Sequence, residues 1–367
     1  MTLIKDTCRQ IVEPNAEIAS RTQRRLDQKT KPLRSLGRLE DLACQIAAIR
    51  DSENPSPPKK AIVVMAADHG VVEEGVSAYP QAVTGQMCLN FAAGGAAINI
   101  LAKHAGSIVV VVDMGIKQAL PDSDRILCRR VGAGTKNFTL GPAMTREEAV
   151  QAIEIGIAIS QDLVSKGVTL VGLGEMGIGN TTASSALLSS LMQIPPEEVT
   201  GHGTGIELAA FGRKISAIKR GLAVNAPNPS DPIDVLAKVG GFEIAGLVGI
   251  TLGCAANRVA VLMDGFIASV AAYIATRLES TVISYLIASH RSVEVGHSLI
   301  LATLGKDPLF DLKMRLGEGT GAALAMGYID ASLRILEEMS TFDSAKVDQA
   351  ERSTSSWECY SNQIYLC

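Results

Sequence analysis

Glu318 is the only acid in the run Leu316-Gly317-Glu318-Gly319-Thr320-Gly321. Glycines on both sides remove side-chain bulk and let a ligand approach the backbone, so a carboxylate there reads as a presented proton acceptor. A second acid, Glu175, opens the loop Glu175-Met176-Gly177-Ile178-Gly179-Asn180-Thr181-Thr182. Its backbone N–H groups, two threonine hydroxyls and the start of the following helix suit a single phosphate, although a glycine turn made for packing fits the same residues. Another glycine loop, Gly201-His202-Gly203-Thr204-Gly205, is followed by Lys214. That cation has the reach to meet a phosphate held there, or to lie solvated at the surface.

Competing chemistries leave weaker traces. Gly172, Gly174 and Gly177 fall in G-x-G-x-x-G register after a strand, with Glu197 and Glu198 further on, so a nicotinamide-dinucleotide oxidoreductase is one reading. Against it, the loop continues through Gly179 and Asn180 before a helix can be capped, whereas a dinucleotide turn enters its helix sooner. Histidines 69, 104, 202, 290 and 297 show no H-x-x-x-H spacing, so no metal is expected. Asp113 and Asp264, at strand ends, suit helix caps or hydrogen-bond anchors. G-x-S-x-G is absent, which disfavours a nucleophile elbow.

The elements that must position these residues follow an α/β pattern. Short Val- and Ile-rich runs near 61–66, 108–113, 125–130, 168–173, 259–263 and 284–289 alternate with segments of helical spacing, which predicts one open, mainly parallel sheet of six strands. Ligands of such sheets bind at the carboxyl ends of the strands, so the polar tips should meet in one crevice. Residues 1–55 read as a helical segment and 60–320 as the large α/β domain. Residues 321–345 read as a helix that packs with the N-terminal one in a small domain, and 346–367 as a tail without periodicity.

Composition narrows the partners. A chain of 367 residues, 47% hydrophobic, can bury a large core, and a net charge of -4 offers no basic field for a nucleic acid. Seven cysteines without a C-x-x-C pair suit reduced thiols. The opening residues lack an apolar signal core, and the apolar stretch 244–275 is interrupted by Asn257, Arg258 and Asp264. A cytoplasmic protein without an integral membrane segment is expected.

Taken in order, several motifs resemble one family. They are Thr30-Lys31-Pro32, Ser35-Leu36-Gly37-Arg38-Leu39-Glu40, Ala67-Asp68-His69-Gly70-Val71, Gly75 to Gln81, Gly94 to Asn99, Gly134-Thr135-Lys136-Asn137, Gly174 to Thr182 and Glu318-Gly319-Thr320-Gly321. From about Leu26 to about Met339 the chain resembles the nicotinate-nucleotide:dimethylbenzimidazole phosphoribosyltransferases, which make the lower-ligand nucleotide of cobalamin. The resemblance implies a homodimer of two-domain subunits, with Rossmann-like topology in the large domain. It implies phosphoribosyl transfer from nicotinate mononucleotide to 5,6-dimethylbenzimidazole without a cofactor.

Glu318 matches the family's catalytic glutamate, and Glu175 is the candidate for stabilising charge on the ribose. Gly177, Asn180, Thr181, Gly203, Thr204, Gly205 and Lys214 match its phosphate and ribose loops, and Tyr79, Pro80, Gln86 and Met87 its benzimidazole-pocket segment. Departures are Arg34 for the usual glycine, His202 for a common arginine, and Tyr79 and Met87 for a small polar residue and glutamine. A non-catalytic nucleotide or base binder would keep the same pocket.

Overall fold

Ala61 to Ala67 is an unbroken apolar run, the pattern of a strand covered on both faces, and every one of these residues is buried. In the computed structural model, which describes residues 2–121, 123–201 and 208–349, this run is the core of β1 (Lys60–Ala67). It lies between β2 (Ser107–Gly115) and β4 (Leu170–Met176), while β3 (Ile126–Cys128) pairs with the far side of β2. Beyond β4 come β5 (Ala260–Met263) and β6 (Leu286–Ala288). All pairings are parallel, in the order β3-β2-β1-β4-β5-β6, so the expected six-stranded parallel sheet is present. The last strand is shorter than the sequence suggests because Ser280–Tyr285 coil into a 3-10 turn before it.

Strand order reverses between β1 and β4, and the two backbones diverge into loops at their carboxyl ends. That point is where an open α/β sheet forms its ligand crevice. The Asp68-His69-Gly70 and Gly177–Gly179 loops leave from it.

The apolar stretch 244–275 ends in β5 and the helix Phe266–Leu278 and begins in the helix Phe242–Ala256. The helix is apolar all round because it is buried all round, and among the described residues no helix is long and apolar enough to cross a membrane. It crosses the helix Arg146–Ser165 at very short range. A Cβ on Gly249 would fall on the Ile153 carbonyl oxygen, and one on Gly156 on that of Gly246.

Helices from near both ends of the chain pack together in one layer. Leu26 and Ala43, from the helices Ala16–Asp27 and Arg38–Ile49, pack with Leu336 of the helix Thr320–Glu338. The Thr30 and Phe342 N–H groups donate to the carbonyls of Ser340 and Gln28, at 3.0 and 3.1 Å. Inside this layer Lys31 and Glu40 form a buried ion pair at 2.8 Å, and Glu40 also accepts from the Leu36 N–H and Gln23. The first helix, Thr2–Gln10, instead buries Ile4 in the main core.

Gly249→Val should lower unfolding free energy by about 1–3 kcal/mol or more, because overpacking here meets backbone that cannot rotate away. Urea unfolding measures it, and an unchanged midpoint would show that the two helices can separate freely.

Candidate active site

The Glu318 turn is pressed onto the middle of the sheet. A Cβ on Gly174, inside β4, would stand 2.6 Å from the Glu318 carbonyl oxygen, and one on Gly319 would meet Ile62 of β1 at 2.7 Å. Two strands therefore contact the turn directly. Glu318 is only 5% exposed, and its Oε2 accepts the N–H of Ile98 at 3.4 Å, at the start of the helix Ala97–His104. Burial raises its pKa and Asp264 adds to the rise, against the Ile98 N–H.

Glu175, at the end of β4, lies next to this turn, since a Cβ on Gly317 would fall on its Oε1. Its other oxygen accepts from the Asn180 side chain. Burial, then the charges of Asp264, Glu243 and Glu318, push its pKa up to about 8, against the Asn180 hydrogen bond. Asp264, just after β5, is pushed up to about 7 by burial, against its backbone N–H partners. Three buried carboxyl groups thus converge, and in each the charged form is disfavoured.

Lys214 stands where the second glycine loop begins. It is not solvated, being 1% exposed, and its Nζ donates to Thr181 Oγ1 at 3.0 Å and to the Gly201 carbonyl at 3.2 Å. One cation therefore ties the first glycine loop to the start of the second. Burial pulls its pKa down to about 8, opposed by Glu294, a buried acid whose Oε2 has no hydrogen-bond partner among the described residues. Gly177 has no room for a side chain, because a Cβ there would stand 2.6 Å from the Ala67 carbonyl. His202, Gly203, Thr204 and Gly205 lie outside the described residues.

The pocket-segment residues are more open. Tyr79, Pro80 and Gln86 are exposed or half-exposed and Met87 is half-buried, around the start of the helix Val83–Ala93. Thr84 of this helix accepts the Ile178 N–H at 3.1 Å, which joins it to the loop after β4. Gly172, by contrast, sits inside β4 against Ile62, so no dinucleotide turn forms around it.

Several contacts had no signal in the sequence. Ile98 acts through its backbone, and Glu243 reaches His69 Nε2 at 2.6 Å from a distant helix. The remaining strand-tip acid, Asp113, is turned into its own loop, where it accepts the N–H groups of Gly115 and Ile116 at 2.9 and 2.8 Å.

The family model DBI_PRT, described as phosphoribosyltransferase, matches residues 11–347. The nicotinate-nucleotide–dimethylbenzimidazole phosphoribosyltransferase of Geobacter metallireducens is 54% identical over 349 residues, 95% of this chain and 99% of its own. That of Geobacter sulfurreducens is 51% identical, with 96% and 100% covered. The chain belongs to this family. The crystal structure of the same enzyme from Thermus thermophilus superposes with a TM-score of 0.86 at 44% identity, covering 92% of this chain and 100% of that one. Arg34 adopts φ +58°, a left-handed conformation suited to glycine, and its guanidinium donates to Gln23 at 2.8 Å.

The raised carboxyls fix a pH dependence of stability. Between pH 6.5 and 8 the unfolded chain has lost the Glu175 proton, ordinarily released near 4.5, while the native state keeps much of it. The native state then binds more protons, so stability falls as pH rises through this window. His297, whose pKa burial lowers from 6.5 to about 3, acts oppositely below pH 6.5, and Lys214 and Lys306, both lowered to about 8, act oppositely as the top of the window is reached. Thermal unfolding of the ligand-free protein should show this decline, and Glu175→Gln should flatten it. An equally steep decline in that variant would remove Glu175 as its source.

Proposed function

We propose that this chain transfers the 5-phosphoribosyl group of nicotinate mononucleotide to 5,6-dimethylbenzimidazole, giving α-ribazole 5′-phosphate and nicotinate. The observation that supports the reading is the pair of buried glutamates side by side at the strand reversal, with a buried lysine joining Thr181, in the helix after β4, to the start of the second glycine loop. The names of relatives about half identical over nearly the whole chain support the same reading.

In this proposal one ring nitrogen of the benzimidazole attacks C1′ while the bond from C1′ to the nicotinate nitrogen breaks. The other ring nitrogen would become cationic, so its proton passes to the Glu318 carboxylate. Nicotinate enters as a pyridinium and leaves with a neutral ring nitrogen, taking the bonding pair, so its departure needs no acid. Attack from the opposite face inverts the anomeric centre.

Positive charge builds on the ribose during the transfer, and the Glu175 carboxylate would stabilise it. An arriving pyridinium favours its ionised form, because a nearby cation lowers a carboxyl pKa. Lys214 holds the 5′-phosphate with the Gly177, Asn180 and Thr181 segment and with Gly203, Thr204 and Gly205. Tyr79, Pro80, Gln86 and Met87 border the flat base. The subunit divides into a large domain, 60–320, and a small helical domain from both chain ends, and works as a cytoplasmic homodimer.

Incubation with both substrates should release free nicotinate, and binding without release would identify a non-catalytic base or nucleotide carrier instead. Glu318→Gln should lower kcat on the order of 10²- to 10⁴-fold with KM values little changed. The parent kcat should decline as acid protonates Glu318, and an undiminished kcat in the variant would remove Glu318 as the base. Lys214→Met should raise KM for the mononucleotide by about 10- to 100-fold, the value of a charged hydrogen bond, and an unchanged KM would place the phosphate elsewhere.

A further inference from the structure

Gly317, Glu318 and Gly319 have φ angles of +83°, +62° and +86°, so three successive residues are left-handed and the middle one carries a side chain. Such backbone is disfavoured for any residue with a Cβ and persists only where the surroundings hold it. Within the turn, Thr320 donates its N–H and its hydroxyl to the Gly317 carbonyl, at 3.1 and 2.8 Å. Those bonds close the turn without fixing its direction relative to the sheet.

The outside hold comes from Asp264, at the end of β5 and 2% exposed. Its Oδ2 accepts the Gly319 N–H at 3.3 Å, and its Oδ1 accepts those of Gly321 and Ala322 at 2.6 and 3.0 Å. The residue before the helix Thr320–Glu338 is Gly319, which has no side chain to cap it, so the capping oxygens come from another strand. Gly321 lets the helix start press against that carboxylate. A Cβ there would strike the His290 ring and stand 2.8 Å from Asp264 Oδ1.

A cap needed only for stability has no reason to stand beside two further carboxyls. The charge of Asp264 opposes the ionisation of both Glu175 and Glu318.

We propose that Asp264 is a positioning residue for the transfer: by gripping the N–H groups that follow Glu318 it fixes the left-handed turn and directs the base into the crevice. The proposal rests on Glu318 as the base. Asp264 acts through that residue and touches neither substrate.

A double-mutant cycle tests it, with every rate taken per mole of folded chain measured by near-ultraviolet circular dichroism. Asp264→Asn keeps the shape but removes the charge and turns an amide donor towards a backbone donor. Asp264→Ser shortens the side chain and avoids that clash. Either should lower kcat on the order of 10²-fold, the effect of misplacing a catalytic group by about 1 Å, with KM for nicotinate mononucleotide within about threefold of the parent. Added to Glu318→Gln, the same change should cost almost nothing more, because a residue that acts through the base has no effect once the base is gone.

Losses that multiply in the double variant, an unchanged kcat in folded single variants, or failure of both variants to fold would overturn the proposal and leave Asp264 a structural cap. If Glu318→Gln alone kept full turnover, the assignment of the base would fail first, independently of Asp264.

Discussion

The close approach of the Glu318 turn to β4 is the constraint on which the site depends. Carbonyl and Cα atoms meet across the sheet surface only because Gly174 lies where any other residue would push the turn away. That contact seals the carboxylate from water on the sheet side and brings it beside Glu175. It also explains glycine on the turn itself, since Gly317 faces the Glu175 oxygen and Gly319 faces Ile62. The same residues that make the site accessible to a ligand make it compact in the ligand's absence.

Compactness has an electrostatic consequence. Glu175, Asp264 and Glu318 are all raised, with burial the largest cause in each case. Such a group of acids is at odds with itself until a positive charge arrives, and a pyridinium nucleotide is a substrate that brings one. At Lys214 the balance is inverted, for it is buried beside backbone carbonyl and hydroxyl oxygens and its charge is disfavoured by burial. Under the proposed function, the cation and the phosphate of one mononucleotide relieve both imbalances.

The fold delivers this polarity by topology. Chain reversal between β1 and β4 opens the crevice, the end of β4 carries Glu175 and the start of the next helix Asn180, and β5 sends Asp264 under the turn that bears Glu318. The helix Val83–Ala93, tied through Thr84 to Ile178, closes the side where the more exposed Tyr79 and Gln86 stand. Apolar helices such as Phe242–Ala256, packed through glycine onto the helix Arg146–Ser165, hold the frame from behind.

Much of this was legible in one dimension. Continuous Val and Ile runs announce parallel strands because both faces of such strands are covered, and an acid between glycines announces a presented carboxylate because both features are local. The register G-x-G-x-x-G was equally local and misleading, since Gly172 and Gly174 are packing positions inside β4. What the chain could not announce were pairings between distant segments: the Ile98 N–H on Glu318, Lys214 on Thr181, Glu243 on His69, and Asp264 on the helix after Glu318. Burial and hydrogen bonding across the sheet depend on which segments become neighbours, so residue types and the chemistry open to them were set by sequence, whereas proton affinities and the aim of each group were decided only by tertiary packing.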